Sequence, residues 1–182
     1  VSAVYATAAE LLALRSVPTD QSYMIECEID EPLHTTVAVL QSVVLHSTAT
    51  GERRIRVITT AVPTTTNLSE VYASADQLAI AAFMANKAVE KSLHARLDDA
   101  RAMIRTRIAD IFTAYRTTMT NTRGGNAAHL TIASNLSLLP LLALGLLRNR
   151  SIRIGAQIPS DVRAYHQTLL TTLPVQRLIP FL

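Results

Sequence analysis

The sequence predicts an α+β fold in which an antiparallel sheet is followed by an all-helical region. Ile55 and Val57 alternate with arginines, and a period of two is typical of a β-strand with an exposed face. From Leu68 onward the apolar residues recur every three or four positions, which is the period of an α-helix. Pro63 and a run of threonines separate the two patterns, so a boundary between two structural units lies within these few residues.

Three strands are predicted before that boundary. Residues 23–29 alternate apolar and polar side chains, which predicts a half-buried strand. The β-branched residues of Val37 to His46 predict a second strand. Thr48 to Glu52 contains Gly51 and is typical of a hairpin loop. Residues 53–62 then form the third strand, antiparallel to the second.

The first predicted helix begins after Asn67. The side chain of Asn67 is suited to capping the first turn, and Glu70 follows three residues later, as in a capping box. A single apolar face is expected along this helix, rich in alanines that permit close approach of neighbouring helices. That face consists of Leu68, Val71, Tyr72, Ala75, Ala79 and Ala82.

Four more helices are predicted, and the most apolar of them is too short to cross a membrane, because a span needs about 20 residues. Three arginines follow that apolar helix, where they suit either its C-terminal dipole or a membrane surface. The helices span residues 93–118, 136–147, 160–171 and 175–182. A loop that contains Gly124 and Gly125 is predicted at residues 121–135. The three arginines are Arg148, Arg150 and Arg153.

The amino-acid composition excludes several classes of function. Hydrophobic residues make up 49% of the 182 residues, enough for a core, while aromatic residues make up only 4%. The net charge of +3 with 17% charged residues is too sparse for a nucleic-acid-binding surface, so no nucleic-acid partner is expected. Cys27 is the single cysteine, which excludes a disulfide framework or a multi-cysteine zinc site and favours a reducing compartment.

The sequence gives no sign of catalytic chemistry, and we expect no catalytic, cofactor-binding or metal-binding residues. The five histidines are widely separated and lack metal-site spacing. Asp98 and Asp99 are adjacent on a helix, where neighbours point in different directions, and Asp98 is expected to pair with Arg101 one turn later.

Arg53, Arg54 and Arg56 are candidates for an anion site. Guanidinium groups bind carboxylates in a fork, so these arginines suit acidic peptide tails or lipid headgroups. The alternative is that they form cross-strand ion pairs with Glu26 and Glu28 on a solvated edge. The sequence leaves both interpretations open.

The chain resembles the Sec23/Sec24 family of COPII inner-coat subunits, in its Sec24, cargo-adaptor type. The most specific match is LSEVYASADQLAI at residues 68–80, preceded by GERRIRVIT at residues 51–59. The resemblance covers essentially the whole chain. Other matching segments are ELLAL at 10–14, PTDQSY at 18–23, LDDARAMI at 97–104, AYR at 114–116, LSLLPLLALGLL at 136–147, IRIG at 152–155 and PSDVRAY at 159–165.

This resemblance implies that residues 1–65 are the C-terminal part of the family's β-sandwich domain and that residues 66–182 are most of its all-helical domain. It implies a non-enzymatic cargo adaptor, cytoplasmic and peripheral on the endoplasmic reticulum membrane. The implied partners are a GTPase-activating sister subunit, a Sar-type small GTPase, cargo export signals and an acidic membrane surface. The family's zinc is expected in a module outside this segment.

The resemblance also suggests a cargo-pocket wall formed by Val43, Leu45, Arg53, Arg54 and Arg56, while the alternative is that Val43 and Leu45 are core residues. Two other functions are weighed. The first is the GTPase-activating sister subunit, which shares a related RRIRV strand. The second is an unrelated helical scaffold.

Overall fold

The structure is a computed structural model that describes residues 13–18, 21–30, 32–123, 132–155 and 157–182. The chain divides into two compact units. One contains Asn67–Leu182 together with residues 21–24 and is helical, and the other contains Ile25–Thr66 and holds the sheet. The predicted order, an antiparallel sheet followed by helices, is confirmed.

The sheet is a two-stranded antiparallel hairpin of β1, Val37–Ser47, and β2, Arg53–Pro63. The pairing register runs from Val37 opposite Pro63 to Ser47 opposite Arg53. At the turn, the Thr48 N–H donates to the Glu52 carbonyl at 2.8 Å. Gly51 has a φ of +83°, a conformation that costs glycine little because it has no Cβ. Both predicted hairpin strands and their turn are confirmed.

The predicted strand at residues 23–29 is wrong. A strand exists only where its backbone groups pair with a neighbour, and within the described residues β1 pairs with β2 alone. The backbone before it is held by the helical unit instead, because Ser22 donates from its N–H to the Thr172 carbonyl at 2.8 Å and from its Oγ to the Leu173 carbonyl at 3.0 Å. Met24 packs against the helical core, whereas Ile25 is exposed.

Six α-helices form the helical unit in the described residues. Asn67 caps the first, with its Oδ1 accepting from the Ser69 N–H at 3.0 Å, and its Nδ2 donates to Glu70 at 3.2 Å. The helices are α1 Leu68–Ala73, α2 Gln77–His94, α3 Leu97–Arg123, α4 Leu139–Arg148, α5 Ser160–Thr172 and α6 Val175–Leu178, with 3-10 turns at Ser134–Leu136 and Ile179–Phe181.

The single apolar face predicted for residues 68–82 is divided between two helices. Asp76 begins α2 by accepting hydrogen bonds from the backbone N–H groups of Leu78 at 2.9 Å and Ala79 at 3.2 Å. Aspartate is among the strongest N-cap residues, so it competes successfully with continuation of the first helix. The next boundary also differs, since α3 begins at Leu97, where Asp99 accepts from the Arg96 N–H at 3.2 Å.

The C-terminal helices are found near their predicted positions. The predicted helix at 136–147 is a 3-10 turn followed by α4, whose first turn contains Pro140, a position that proline tolerates. The predicted helix at 160–171 is α5, one residue longer. Gly124 and Gly125 of the predicted loop lie outside the described residues.

The core of the helical unit is built around α2, which packs against α3, α4, α5 and α6. Ala85 and Ala88 are completely buried, and their small side chains let the neighbouring helices approach closely. Around Tyr115 a second cluster forms, in which this ring meets Tyr72 edge to face with 5.1 Å between centroids. Ile108 and Ile111 contact both clusters and join them.

Candidate functional site

The hairpin register divides the five predicted site residues between two faces. Residues directly opposite each other in an antiparallel pair lie on the same face. Val43 is opposite Val57, and Leu45 is opposite Ile55. Arg53 lies on this same face, because it is two residues before Ile55 and side chains alternate along a strand.

Arg54 and Arg56 lie on the other face of the hairpin. Arg54 is opposite His46, and Arg56 is opposite Val44. A single flat pocket wall therefore cannot present all five residues at once. The site divides into an aliphatic face ending in Arg53 and a basic face carrying Arg54 and Arg56.

The aliphatic face is open. The exposed fractions are 57% for Val43, 59% for Leu45, 67% for Ile55 and 54% for Val57. These four residues are called the open face below. Val43 and Leu45 are therefore not buried by the other described residues. Aliphatic side chains held in fixed register on an exposed sheet face are suited to contact with another apolar surface.

The basic face has a different environment. His46 and Val44 are half-buried there, whereas the two arginines are exposed. Arg54 forms an ion pair with Glu52 at the turn, with 2.6 Å between Nη2 and Oε2. Exposed pairs of this kind contribute only about 0–1 kcal/mol, so Arg54 is released to another carboxylate at little cost. Residues 23–29 are not a strand, and ion pairing of Glu26 or Glu28 with these arginines stays a prediction.

A polar network at the end of α4 was not predicted from the sequence. The connection between α4 and α5, residues 149–155, is called the linker. Arg163 on α5 donates from Nη1 to the carbonyls of Arg150 at 3.2 Å, Ser151 at 3.1 Å and Arg153 at 3.2 Å. The buried Asn149 donates to the Phe181 carbonyl at 3.1 Å. In this network, Arg163 orders the main chain of the linker.

Arg101 belongs to the same network, and the predicted pairing with Asp98 is wrong. Arg101 donates from Nη1 to the carbonyls of Leu147 and Ile152. Asp98 lies 3.9 Å from Arg96 instead. The last carbonyl groups of a helix have no hydrogen-bond donor within the helix. The guanidinium of Arg101 supplies such a donor where α4 ends.

Among the residues that the structure describes, His166 on α5 has a clearly shifted pKa. Its ring stacks on Phe181 with 5.1 Å between centroids. Burial lowers the pKa of His166 below 6.5, and the positive charge of Arg150 lowers it further. Both effects favour the neutral form of the imidazole beside the linker.

The described residues contain no group of three or more His, Cys, Asp or Glu side chains arranged to hold a metal ion. Among those same residues, every helix is too short or too polar to cross a bilayer. Cys27 is a free, exposed thiol.

Two family models match the chain. The Sec23/Sec24 beta-sandwich domain matches residues 2–65, and the Sec23/Sec24 helical domain matches residues 76–180. The boundary predicted between residues 65 and 66 stays a prediction. The helical match alone covers more than half of the chain.

Similar proteins agree with those matches. Protein transport protein SEC24 of Yarrowia lipolytica is 43% identical over 178 residues, which is 98% of this chain and 19% of that protein. SEC24 of Chaetomium globosum is 45% identical over 173 residues, which is 95% of this chain and 18% of that protein. The crystal structure of the human COPII-coat protein Sec24c matches with a TM-score of 0.66 and 26% identity, over 75% of this chain and 18% of that chain.

Proposed function

Because this chain belongs to the Sec23/Sec24 family, we propose that the protein containing it is a cargo-selecting adaptor of the COPII coat in transport from the endoplasmic reticulum to the Golgi. The observation that carries this proposal is the match to proteins named SEC24 along nearly all of the chain. The chain spans about a fifth of the length of those relatives, so the activity belongs to the whole protein.

Within that protein the two units have different roles. The helical unit is a framework, because its aliphatic side chains pack its own helices against one another. The hairpin supplies a cargo-pocket wall through the open face and Arg53. A short export signal with aliphatic and acidic side chains is the ligand that suits such a face, since Arg53 lies beside Leu45 and Ile55 on it.

The partners proposed are those of the coat. They are the GTPase-activating sister subunit, a Sar-type small GTPase, cargo tails and the acidic surface of the endoplasmic reticulum membrane, on which the protein is cytoplasmic and peripheral. The adaptor itself is non-enzymatic. Its zinc is held in another module of the full-length protein, which agrees with the single cysteine of this segment.

The sister GTPase-activating subunit is the second candidate, because it shares the architecture and the RRIRV strand. The relatives described above carry the name SEC24, and this favours the adaptor. The unrelated helical scaffold is wrong, because the chain belongs to the coat family.

Gentle extraction of the tagged full-length protein tests the assignment. We expect a one-to-one complex with a distinct subunit that stimulates GTP hydrolysis by the small GTPase. The tagged protein alone should leave hydrolysis unchanged. If the tagged protein itself stimulates hydrolysis, it is the sister subunit. If it purifies without a coat partner, the adaptor proposal fails.

Leu45→Trp tests the pocket wall. The larger ring changes the shape of the open face, so one class of export signal should bind less tightly while others bind as before. Leu40→Trp is the matched control, because Leu40 is similarly exposed but lies on the opposite face of β1. Peptide binding measured by fluorescence anisotropy distinguishes the two variants. Equal loss of every signal class, or no loss, would contradict the pocket role.

A further inference from the structure

The charges of this chain are unevenly distributed along its length. Residues 111–182 contain seven arginines, no lysine and one acidic residue, Asp161. Residues 1–110 contain more acidic than basic residues. The modest net charge of +3 therefore hides a strongly basic C-terminal part. Three of its arginines, Arg148, Arg150 and Arg153, are exposed at one end of α4.

The outer side of α4 leads into those arginines. Leu139, Ala143 and Leu146 are buried against the core. Leu141 and Leu144 face outward, with 64% and 45% of their surfaces exposed. Residues three and four apart lie on the same side of a helix, so Leu141, Leu144 and Arg148 form one row. An exposed aliphatic row therefore ends in a cation.

The main chain of the other two arginines is held by hydrogen bonds within the linker. The single Nη1 of Arg163 binds the carbonyls of Arg150, Ser151 and Arg153, which fixes the main chain on either side of Ser151. The Ser151 N–H also donates to the side chain of Asn149 at 3.0 Å. Main chain held in this way loses little freedom on binding a ligand, which favours affinity.

We propose that Leu141, Leu144, Arg148, Arg150 and Arg153, together the α4 surface, form a docking site for an acidic peptide segment that also carries aliphatic side chains. The peptide's aliphatic residues pack on the leucine row, and its carboxylates are bound by the guanidinium groups, whose planar fork matches a carboxylate in two parallel hydrogen bonds. This site lies in the helical unit and does not rest on the cargo-adaptor function or on the open face of the hairpin.

An anionic membrane fits the α4 surface less well than a peptide does. Interfacial membrane helices commonly carry Trp, Phe or Leu on a broad apolar face with Lys and Arg along a polar one. Here the exposed leucines are Leu141 and Leu144 in the row and Leu138 just before α4, which is a narrow apolar strip, and the chain has no Trp. The cationic residues all follow the leucines, at the C-terminal end of α4 and just after it, which gives the surface a direction. A short peptide with aliphatic residues before acidic ones has the same direction.

Fluorescence anisotropy with a labelled probe tests the proposal. The probe is a peptide with two leucines followed by three aspartates, and its partner probe has asparagines in place of the aspartates. Full-length protein is compared with Arg148→Glu, Arg153→Glu and Leu141→Ser variants. Arg116→Glu is the matched control, because Arg116 is also exposed but lies on α3, about 22 Å along that helix from Arg101, which contacts the linker. Thermal unfolding verifies that each variant is folded.

We expect the acidic probe to bind, with affinity falling about tenfold for each arginine reversal and remaining unchanged in Arg116→Glu. Leu141→Ser should weaken binding without changing its salt dependence. Equal binding of the asparagine probe, or equal loss in Arg116→Glu, would overturn the proposal. It would also be overturned if vesicles of phosphatidylcholine and phosphatidylserine lost binding to the arginine variants while the acidic probe failed to bind the unaltered protein.

Discussion

The helical unit and the hairpin are both rich in aliphatic residues, yet they bury them very differently. Ile104, Leu146 and Leu170 are almost completely buried among the helices. In the hairpin every residue of β2 is exposed, and Val43 and Leu45 are exposed on β1. The helices complete each other's apolar faces within this chain, whereas the hairpin is held together by backbone pairing and a few exposed polar side-chain contacts. Burial therefore stabilises the helical unit, whereas the aliphatic side chains of the hairpin are exposed within the described residues.

Polar contacts differ in the same way. In the helical unit, Arg101 and Arg163 reach carbonyls far away in sequence and hold the linker. In the hairpin, Arg54 pairs with Glu52 two residues away. Long-range contacts of the first kind constrain tertiary structure, while an exposed local pair leaves its arginine available for other carboxylates.

Ile104→Asp should have the largest effect. Ile104 has no exposed surface, and a carboxylate at this position loses its hydration without gaining a partner. We expect the helical unit to lose at least about 4 kcal/mol of stability. The measurement is hydrogen exchange across α3, which should become much faster.

Ile55→Asp is the matched control for that change. Ile55 is exposed on the open face, so the same substitution leaves the new carboxylate hydrated. Exchange in α3 should then remain as in the unaltered protein. If both variants destabilise the helices equally, or if Ile104→Asp melts as before, the contrast between the two units is wrong.

Arg163→Met should have an intermediate effect. The substitution keeps an apolar stem but removes the donor that three linker carbonyls share. We expect a loss of about 2 kcal/mol, the magnitude of a hydrogen bond from a charged donor, together with faster exchange in residues 149–155. Arg148→Met is the control, because Arg148 is exposed at the end of α4. A loosened hairpin with an unchanged linker would refute the assigned role of Arg163.

The sequence predicted the hairpin and most helices because their signals are local. Gly51 marks the turn, and the alternation beginning at Ile55 defines β2. Asn67 was recognised as a cap from its residue type and from Glu70 three positions later. Residues 23–29 show the limit of such reasoning, since alternation predicts a strand but does not supply the neighbour that a strand needs.

The missed features depend on tertiary contacts. Asp76 is a strong cap residue, but it lies within a helical pattern that continues from Ala75 to Ala79. Arg101 was assigned to Asp98 on spacing alone, whereas unpaired carbonyls at the end of α4 attract it instead. The five residues of the predicted cargo site were found on the hairpin, but only the register with β1 reveals that they occupy two faces.

The smallest effect is expected from pH and should be confined to the helical unit. Burial and the charge of Arg150 hold the pKa of His166 below 6.5 in the folded protein. Between that lowered pKa and 6.5, the unfolded chain binds more protons at this side chain than the folded chain does. The free energy of unfolding should therefore decrease as pH falls below about 6.5 and be independent of this group above it.

His166→Phe isolates that dependence, because a phenyl ring preserves the stacking on Phe181 and does not titrate. Thermal unfolding followed by circular dichroism between about pH 5 and pH 8 compares the variant with the unaltered protein. The unaltered protein should lose more stability on acidification than the variant does. An identical loss in both would assign the acid sensitivity to other groups, and a larger loss in the variant would mean that protonation of His166 stabilises the fold. The expected result would show that protonation of His166 destabilises the helical unit, because burial disfavours the charged imidazole.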